Sequence, residues 1–185
     1  MASLRTPMPK LSVLSFLLLV IVCWSGASDA AGVPMSVAEI QFWDRSVTPD
    51  GATLPLGEGS VADGRIVYET ACASCHGVAG RGEAPLVALV GGNGTLTATS
   101  PNKTVGSYWP YATTLFDYIR RAMPFGQQKS LSSNEVYAVT AYVLFLNGII
   151  EEDRLITKAS LPGIKMPNRE GFFWSEEARR LTGEL

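Results

Sequence analysis

The stretch Gly64-Arg65-Ile66-Val67-Tyr68-Glu69-Thr70-Ala71-Cys72-Ala73-Ser74-Cys75-His76 decides how the rest of this chain is read. It begins as an apolar-periodic helix, with Val61, Ile66 or Val67, and Tyr68 toward a core, and opens near Ser60 or Asp63. It ends in C-x-x-C-H, a spacing that reads as covalent attachment of haem c: two thiols three residues apart each form a thioether to the porphyrin. The adjacent histidine is then carried beneath the iron as proximal ligand. A thioredoxin-like dithiol is the rival reading, but it expects a βαβ surround, whereas here a helix precedes the motif and glycine-rich sequence follows.

Composition narrows the chemistry further. Of 185 residues only three are cysteine and one is histidine, and Cys72, Cys75 and His76 account for all but Cys23. A multi-histidine metal site, a four-cysteine zinc ribbon and a disulfide framework are therefore excluded. A 46% hydrophobic and 17% charged composition with a net charge of -2 gives neither a disordered chain nor the basic surface of a nucleic-acid binder.

The first 30 residues read as a cleaved secretory leader. Arg5 and Lys10 precede an uncharged run at residues 11–24, and Ser25-Gly26-Ala27 and Ser28-Asp29-Ala30 offer small-x-small cleavage sites. That run is shorter than the roughly 20 residues that span a bilayer, so no permanent membrane anchor is expected. Cys23 follows Val22, which does not suit a lipobox, and leaves with the leader. Export past residue 30 places the protein in the periplasm and removes Arg5, Lys10 and Asp29, leaving 13 basic and 16 acidic side chains.

The mature chain divides into an extended N-terminal arm at 31–59, a haem domain at 60–149 and a C-terminal extension at 150–185. The arm is rich in Pro, Gly, Ser and Thr, with one apolar patch around Val37, Ile40 and Phe42-Trp43 that packs by its aromatics. Residues 77–107 read as loop with at most a short helical turn, and such long loops are functional or wrapped around something. A second helix runs from Tyr111 or Thr113 to about Ala122, with Leu115, Tyr118, Ile119 and Ala122 on one face, and stops at Met123-Pro124. A third begins with the capping box Ser132-x-x-Glu135 and the staple pair Leu131/Val136, and ends at Asn147-Gly148. Its apolar face is Val136, Val139, Tyr142/Val143 and Leu146. The tail is polar and finishes in a short helix after Ser175.

With one histidine, bis-histidine ligation is impossible, and the distal ligand is sought among the mature methionines Met35, Met123 and Met166. Met123 sits between two helices and lies 47 residues beyond His76, far enough to return across the other haem face. Met166 would need the tail to fold back, and a methionine is often only core filler.

Gly64-x-x-x-Tyr68-x-x-x-Cys72-x-x-Cys75-His76, Met123-Pro124 and Ala141-Tyr142 together resemble a class I cytochrome c. The resemblance implies an all-α fold, a small helical bundle around one covalently bound haem, with its terminal helices crossing at Gly64. It also implies a proline carbonyl that accepts the proximal histidine's ring N–H, for which Pro85 is the candidate. A narrower similarity rests on Ile40-Gln41-Phe42-Trp43-Asp44, Leu89-Val90-Gly91-Gly92, Lys103-Thr104-Val105-Gly106-Ser107-Tyr108-Trp109-Pro110-Tyr111, Asp117-Tyr118-Ile119-Arg120-Arg121-Ala122-Met123-Pro124 and Lys165-Met166-Pro167-Asn168-Arg169. These look like the cytochrome subunit of the Sox sulfane dehydrogenase and its sulfite-dehydrogenase relatives.

That resemblance implies a molybdenum-containing dehydrogenase subunit as donor, a downstream cytochrome or oxidase as acceptor, and a tail motif that clasps a partner. One-electron transfer is the expected function, with Cys72 and Cys75 holding haem, His76 and Met123 on the iron, and no catalytic residue. Tyr68, Leu86, Leu115, Ile119 and Tyr142 bury the haem, while Tyr108, Trp109, Arg120, Arg121 and Lys103 are candidate propionate donors. Two alternatives stay open: a haem enzyme acting directly on a sulfur substrate, and a general soluble electron carrier for another dehydrogenase.

Overall fold

The computed structural model describes residues 32–44, 46–82 and 87–182, so the leader lies outside the described residues. The chain divides into two units, Met1–Ile40 and Gln41–Leu185. In the first, the apolar patch expected to be extended is wound instead into the start of a helix, α1 (Val37–Trp43). The cause is local. Ser36 donates through its N–H and Oγ to Glu39 Oε2 at 2.8 and 2.7 Å, and Glu39 N–H returns to Ser36 Oγ at 3.3 Å. Ser36-x-x-Glu39 is thus a capping box legible in the sequence but overlooked among its Pro, Gly and Ser neighbours.

The second unit is built on two crossing helices, α2 (Val61–Ala71) and α6 (Ser133–Leu146). Between them come α3 (Ala73–His76), α4 (Val105–Tyr108) and α5 (Ala112–Ala122); α7 (Glu176–Thr182) closes the described chain. Ser60 caps α2 by accepting from Asp63 N–H at 3.1 Å. Val61 and Tyr68 are buried and Val67 packs against the core, whereas Ile66 is exposed, which resolves the choice between Ile66 and Val67. The crossing needs Gly64: a Cβ there would overlap the carbonyl of Ala138 and lie 2.8 Å from Tyr142 Cβ.

The capping box on α6 forms as its sequence implies, with Ser132 N–H and Oγ each 2.7 Å from Glu135 Oε2. Gly148, at φ 67°, ends it, its N–H bonded to Phe145 O at 2.8 Å. A single apolar face was expected, yet every residue from 136 to 144 is buried. Tyr137, Ala138, Ala141 and Leu144 leave no polar side, the pattern of a helix enclosed all round. What encloses it comes from both flanks of the chain. The Tyr137 ring packs at a 45° tilt, 4.5 Å from that of Phe116 of α5, and its hydroxyl donates to Pro55 O at 2.8 Å. Val47, Leu54, Ile156, Leu161, Ile164 and Met166 all belong to the same core.

The flanks also pair directly. The strands β1 (Glu58–Gly59) and β2 (Ile156–Thr157) form a short antiparallel ladder, with Glu58 opposite Thr157 and Gly59 opposite Ile156. On α5, Leu115, Phe116 and Ile119 are buried, but Tyr118 is 46% exposed and not on the core face as expected. The helical spacing 112, 115, 116, 119 takes Phe116 into the core and turns Tyr118 outward. As predicted, α5 stops before Pro124, with Met123 in an extended conformation at φ -116° and ψ 152°. The turn α4 was the short helical piece allowed for in the long loop, and Thr104 and Ser107 cap it reciprocally. Among the described residues no helix is long and apolar enough to cross a membrane.

Candidate functional site

The site is assembled where α2 ends. Cys72 caps that helix, its N–H bonded to Tyr68 O, and its own carbonyl accepts from Cys75 N–H at 3.1 Å and His76 N–H at 2.9 Å. The C-x-x-C-H motif is therefore one helical turn, α3, in which positions three apart lie on one side. Both cysteines are free, Cys72 half-buried and Cys75 exposed. Burial, and then the neighbouring Cys75, pushes the Cys72 thiol up to about 11. A redox dithiol needs the opposite, a thiol whose pKa is depressed so that it attacks as thiolate.

His76 is half-buried and oriented by backbone. Its Nδ1 lies 3.0 Å from the carbonyl oxygen of Val87. A carbonyl can only accept, so Nδ1 carries a proton; in the neutral ring this leaves the lone pair on Nε2, the tautomer of a metal-ligating imidazole. Pro85, the candidate acceptor, and Leu86 lie outside the described residues; Val87, two positions on from Pro85, is the described acceptor. Spacing alone could not have singled out Val87, because the loop returns to the ring through contacts that no local pattern encodes. Gly82 N–H bonds to His76 O at 2.8 Å, and Leu89 and Val90 N–H converge on Gly80 O. Gly77 turns the chain at φ 72°, where a Cβ would sit 2.9 Å from Gly82 O.

Tyr68 adds a role that sequence reasoning limited to packing. It is 1% exposed, and its hydroxyl donates to Gly77 O at 2.8 Å, directly behind His76. Its ring meets Tyr142 at 5.3 Å, so α2, α6 and the histidine loop are joined through one side chain. The signal was available in the four-residue spacing Tyr68-x-x-x-Cys72, which places the phenol one turn behind the motif.

Met123 ends α5, half-buried and packed against the core. Met166 is 1% exposed within that core, and Met35 is 48% exposed. The motif at 165–169 folds back onto this chain. Lys165 pairs antiparallel with Tyr111, Asn168 Nδ2 donates to Tyr108 O at 2.7 Å, and Arg169 lies 4.2 Å above the Tyr111 ring.

The candidate propionate donors fall in different surroundings. Lys103 Nζ sits 5.0 Å over the ring of Tyr108, and Trp109 is half-buried, edge-on to Tyr118 at 5.6 Å. Arg120 is half-buried on α5. Arg121 is engaged by Asp117: Nε meets Oδ1 at 2.8 Å and Nη2 meets Oδ2. Hydrogen bonding to that carboxylate, together with its charge, holds the Arg121 guanidinium above its ordinary pKa. Asp117 also accepts from Val47 N–H at 2.8 Å, so this pair fastens the N-terminal flank to α5.

Two free thiols and an imidazole with Nε2 available, on one helical turn, fit a covalently held haem by the chemistry of the donor set. Comparisons with known proteins point to a cytochrome. A family model described as cytochrome C oxidase, cbb3-type, subunit III, matches residues 59–143, from β1 into α6. The chain is also similar to a chain in the crystal structure of the sulfane dehydrogenase SoxCD from Paracoccus pantotrophus. Identity is 42%, with 83% of this chain and 74% of that one covered and a TM-score of 0.74. An all-α body crossed at Gly64, the C-x-x-C-H turn and this similarity lead to one conclusion: the chain belongs to the class I c-type cytochromes, electron-transfer haem proteins, and resembles the cytochrome subunit of the Sox sulfane dehydrogenase group.

Proposed function

We propose that this chain is a periplasmic cytochrome carrying one haem c, and that it accepts single electrons from a molybdenum-containing dehydrogenase of sulfane or sulfite sulfur. The observation that carries the haem site is the 3.0 Å contact between His76 Nδ1 and Val87 O, which leaves Nε2 free beside two unpaired thiols. When bound, haem c supplies a reversible one-electron couple. The residues supply the rest. Cys72 and Cys75 would tether the group, and the His76 imidazole and the soft thioether of Met123 would hold its iron. Tyr68, Leu115, Ile119 and Tyr142 exclude water, and an apolar surround with a methionine ligand favours the reduced state. Tyr108, Trp109 and Arg120 are proposed as donors to the propionates. Electrons then pass to a downstream cytochrome or oxidase.

In this reading the leader at 1–30 is removed on export, 60–149 forms the haem domain, and 31–59 and 150–185 flank it. The dehydrogenase partner is supported by the 42% identity to a chain from a sulfane dehydrogenase. The test is to purify the tagged, matured chain from its own periplasm and assay for molybdenum and for haem reduction on adding a sulfane or sulfite donor. Copurifying molybdenum with donor-dependent reduction is expected. A pure, molybdenum-free cytochrome that sulfur donors leave oxidised, in an extract that still oxidises them, would contradict the proposal.

A further inference from the structure

Residues 108–111, which join α4 to α5, are gripped from the far end of the chain. Asn168 Nδ2 donates to Tyr108 O at 2.7 Å across a separation of 60 residues. Lys165 pairs with Tyr111 as an antiparallel bridge, and the Arg169 guanidinium lies 4.2 Å above the Tyr111 ring. Met166, between them, is sealed in the core at 1% exposure. A backbone pairing, an amide hydrogen bond and a cation–π contact therefore converge on four residues. Burying Met166 would have been enough to hold the tail; the contacts of Asn168 and Arg169 are aimed elsewhere, at the entry to α5.

That entry lacks support of its own. Tyr111 is the N-cap of α5 and makes no side-chain capping bond, so the helix start is held from outside, by the tail at Tyr111 and by Thr113 Oγ1, which donates to Pro49 O at 3.0 Å. The gripped segment reaches the other end of α5 as well. Trp109, next to the clasped Tyr108, rests edge-on against Tyr118 at 5.6 Å and 86°. Five residues beyond Tyr118 the helix ends in Met123.

We propose that the clasp formed by Lys165, Asn168 and Arg169 is a positioning element for the distal half of the haem site. It fixes where α5 begins and how Trp109 bears on Tyr118, and so holds Met123 in place as an axial ligand. This rests on the reading of Met123 as the distal ligand.

The test uses the matured, oxidised holoprotein and follows two signals through a denaturant titration: the red ferric absorption band of a methionine–iron bond, and far-UV circular dichroism. Asn168→Leu, Arg169→Ala and their combination are compared with Met123→Ala and with Glu152→Ala, which breaks only the exposed pair with Arg65. In the clasp variants the band is expected to disappear at lower denaturant than the helical signal, with a ligand-detached ferric population raised about tenfold, the ratio set by one lost hydrogen bond of ordinary worth. Glu152→Ala should behave as wild type. If band and helix are lost together at one lowered midpoint, the clasp only stabilises the fold and the proposal is overturned; an unshifted band overturns it too. A wild-type protein without the band, or a Met123→Ala variant that keeps it, refutes the distal-ligand reading itself and the clasp's role with it. If the double variant does not mature, either single variant decides the same question.

Discussion

Replacing Gly64 by alanine sets two physical effects of opposite sign against each other. Within a helix interior the change should stabilise by about 1 kcal/mol, because alanine loses less backbone entropy than glycine. Here the new Cβ would overlap the carbonyl of Ala138 and approach Tyr142 Cβ to 2.8 Å. Neither neighbour is the free end of a flexible side chain. The backbones of α2 and α6 must therefore separate, and Val61, Tyr68 and Tyr142, buried beside the crossing, lose packing with them. Overpacking costs about 1–3 kcal/mol, and an overlap with backbone that cannot swing aside falls in the upper part of that range, about 2–3 kcal/mol, so the propensity gain offsets only part of it. A net loss of about 1–2 kcal/mol follows, or about 3–6 °C in Tm for a chain of this size. Denaturant unfolding of the matured protein, followed by far-UV circular dichroism, measures it. A Gly64→Ala protein equal to or more stable than wild type would refute the packing argument, since it would mean that propensity outweighs the crossing.

Two of the buried tyrosines, Tyr68 and Tyr137, lower stability at alkaline pH. Burial pushes both Tyr68 and Tyr137 up to about 12 from an ordinary value of 10.0, so the folded protein holds these protons more tightly than the unfolded chain. Their contribution is complete below about pH 10 and is lost as pH rises from 10 to 12; Tyr68→Phe and Tyr137→Phe should each flatten the decline in unfolding free energy across that window. At neutral pH Tyr68→Phe should still cost about 0.5–1.5 kcal/mol, because Gly77 O loses the phenol and keeps only the 3.4 Å bond from Gly80 N–H. Met166→Ala should cost about 2–5 kcal/mol and Met166→Leu under about 1.5, measured by equilibrium unfolding, because the side chain fills core.

The parts of this molecule legible in its sequence are those decided within a few residues. Ser132 and Glu135 started α6, Pro124 stopped α5, and Gly64 marked a close approach that the backbone contacts then explained. The Ser36-x-x-Glu39 box was equally local and went unread only because its neighbours suggested coil. What stayed hidden depends on partners far apart in the chain. The ladder between Glu58 and Thr157, the bond from Asn168 to Tyr108 and the support of His76 by Val87 carry no periodicity that would betray them. Helix α6 held an unread hint, since a helix without a polar side must be covered by something beyond a single neighbouring helix. The flanking segments, which sequence alone set apart from the haem domain, supply that cover through Pro55, Leu161 and Met166.

The attachment chemistry is tested most directly by the intact mass of the exported, matured protein under denaturing conditions. The mature polypeptide plus the mass of one haem is expected, with the haem retained after unfolding and lost when Cys72 and Cys75 are both replaced by alanine. A wild-type polypeptide that releases its haem on denaturation, or one without haem that is lighter by two hydrogens through a Cys72–Cys75 disulfide, would contradict it.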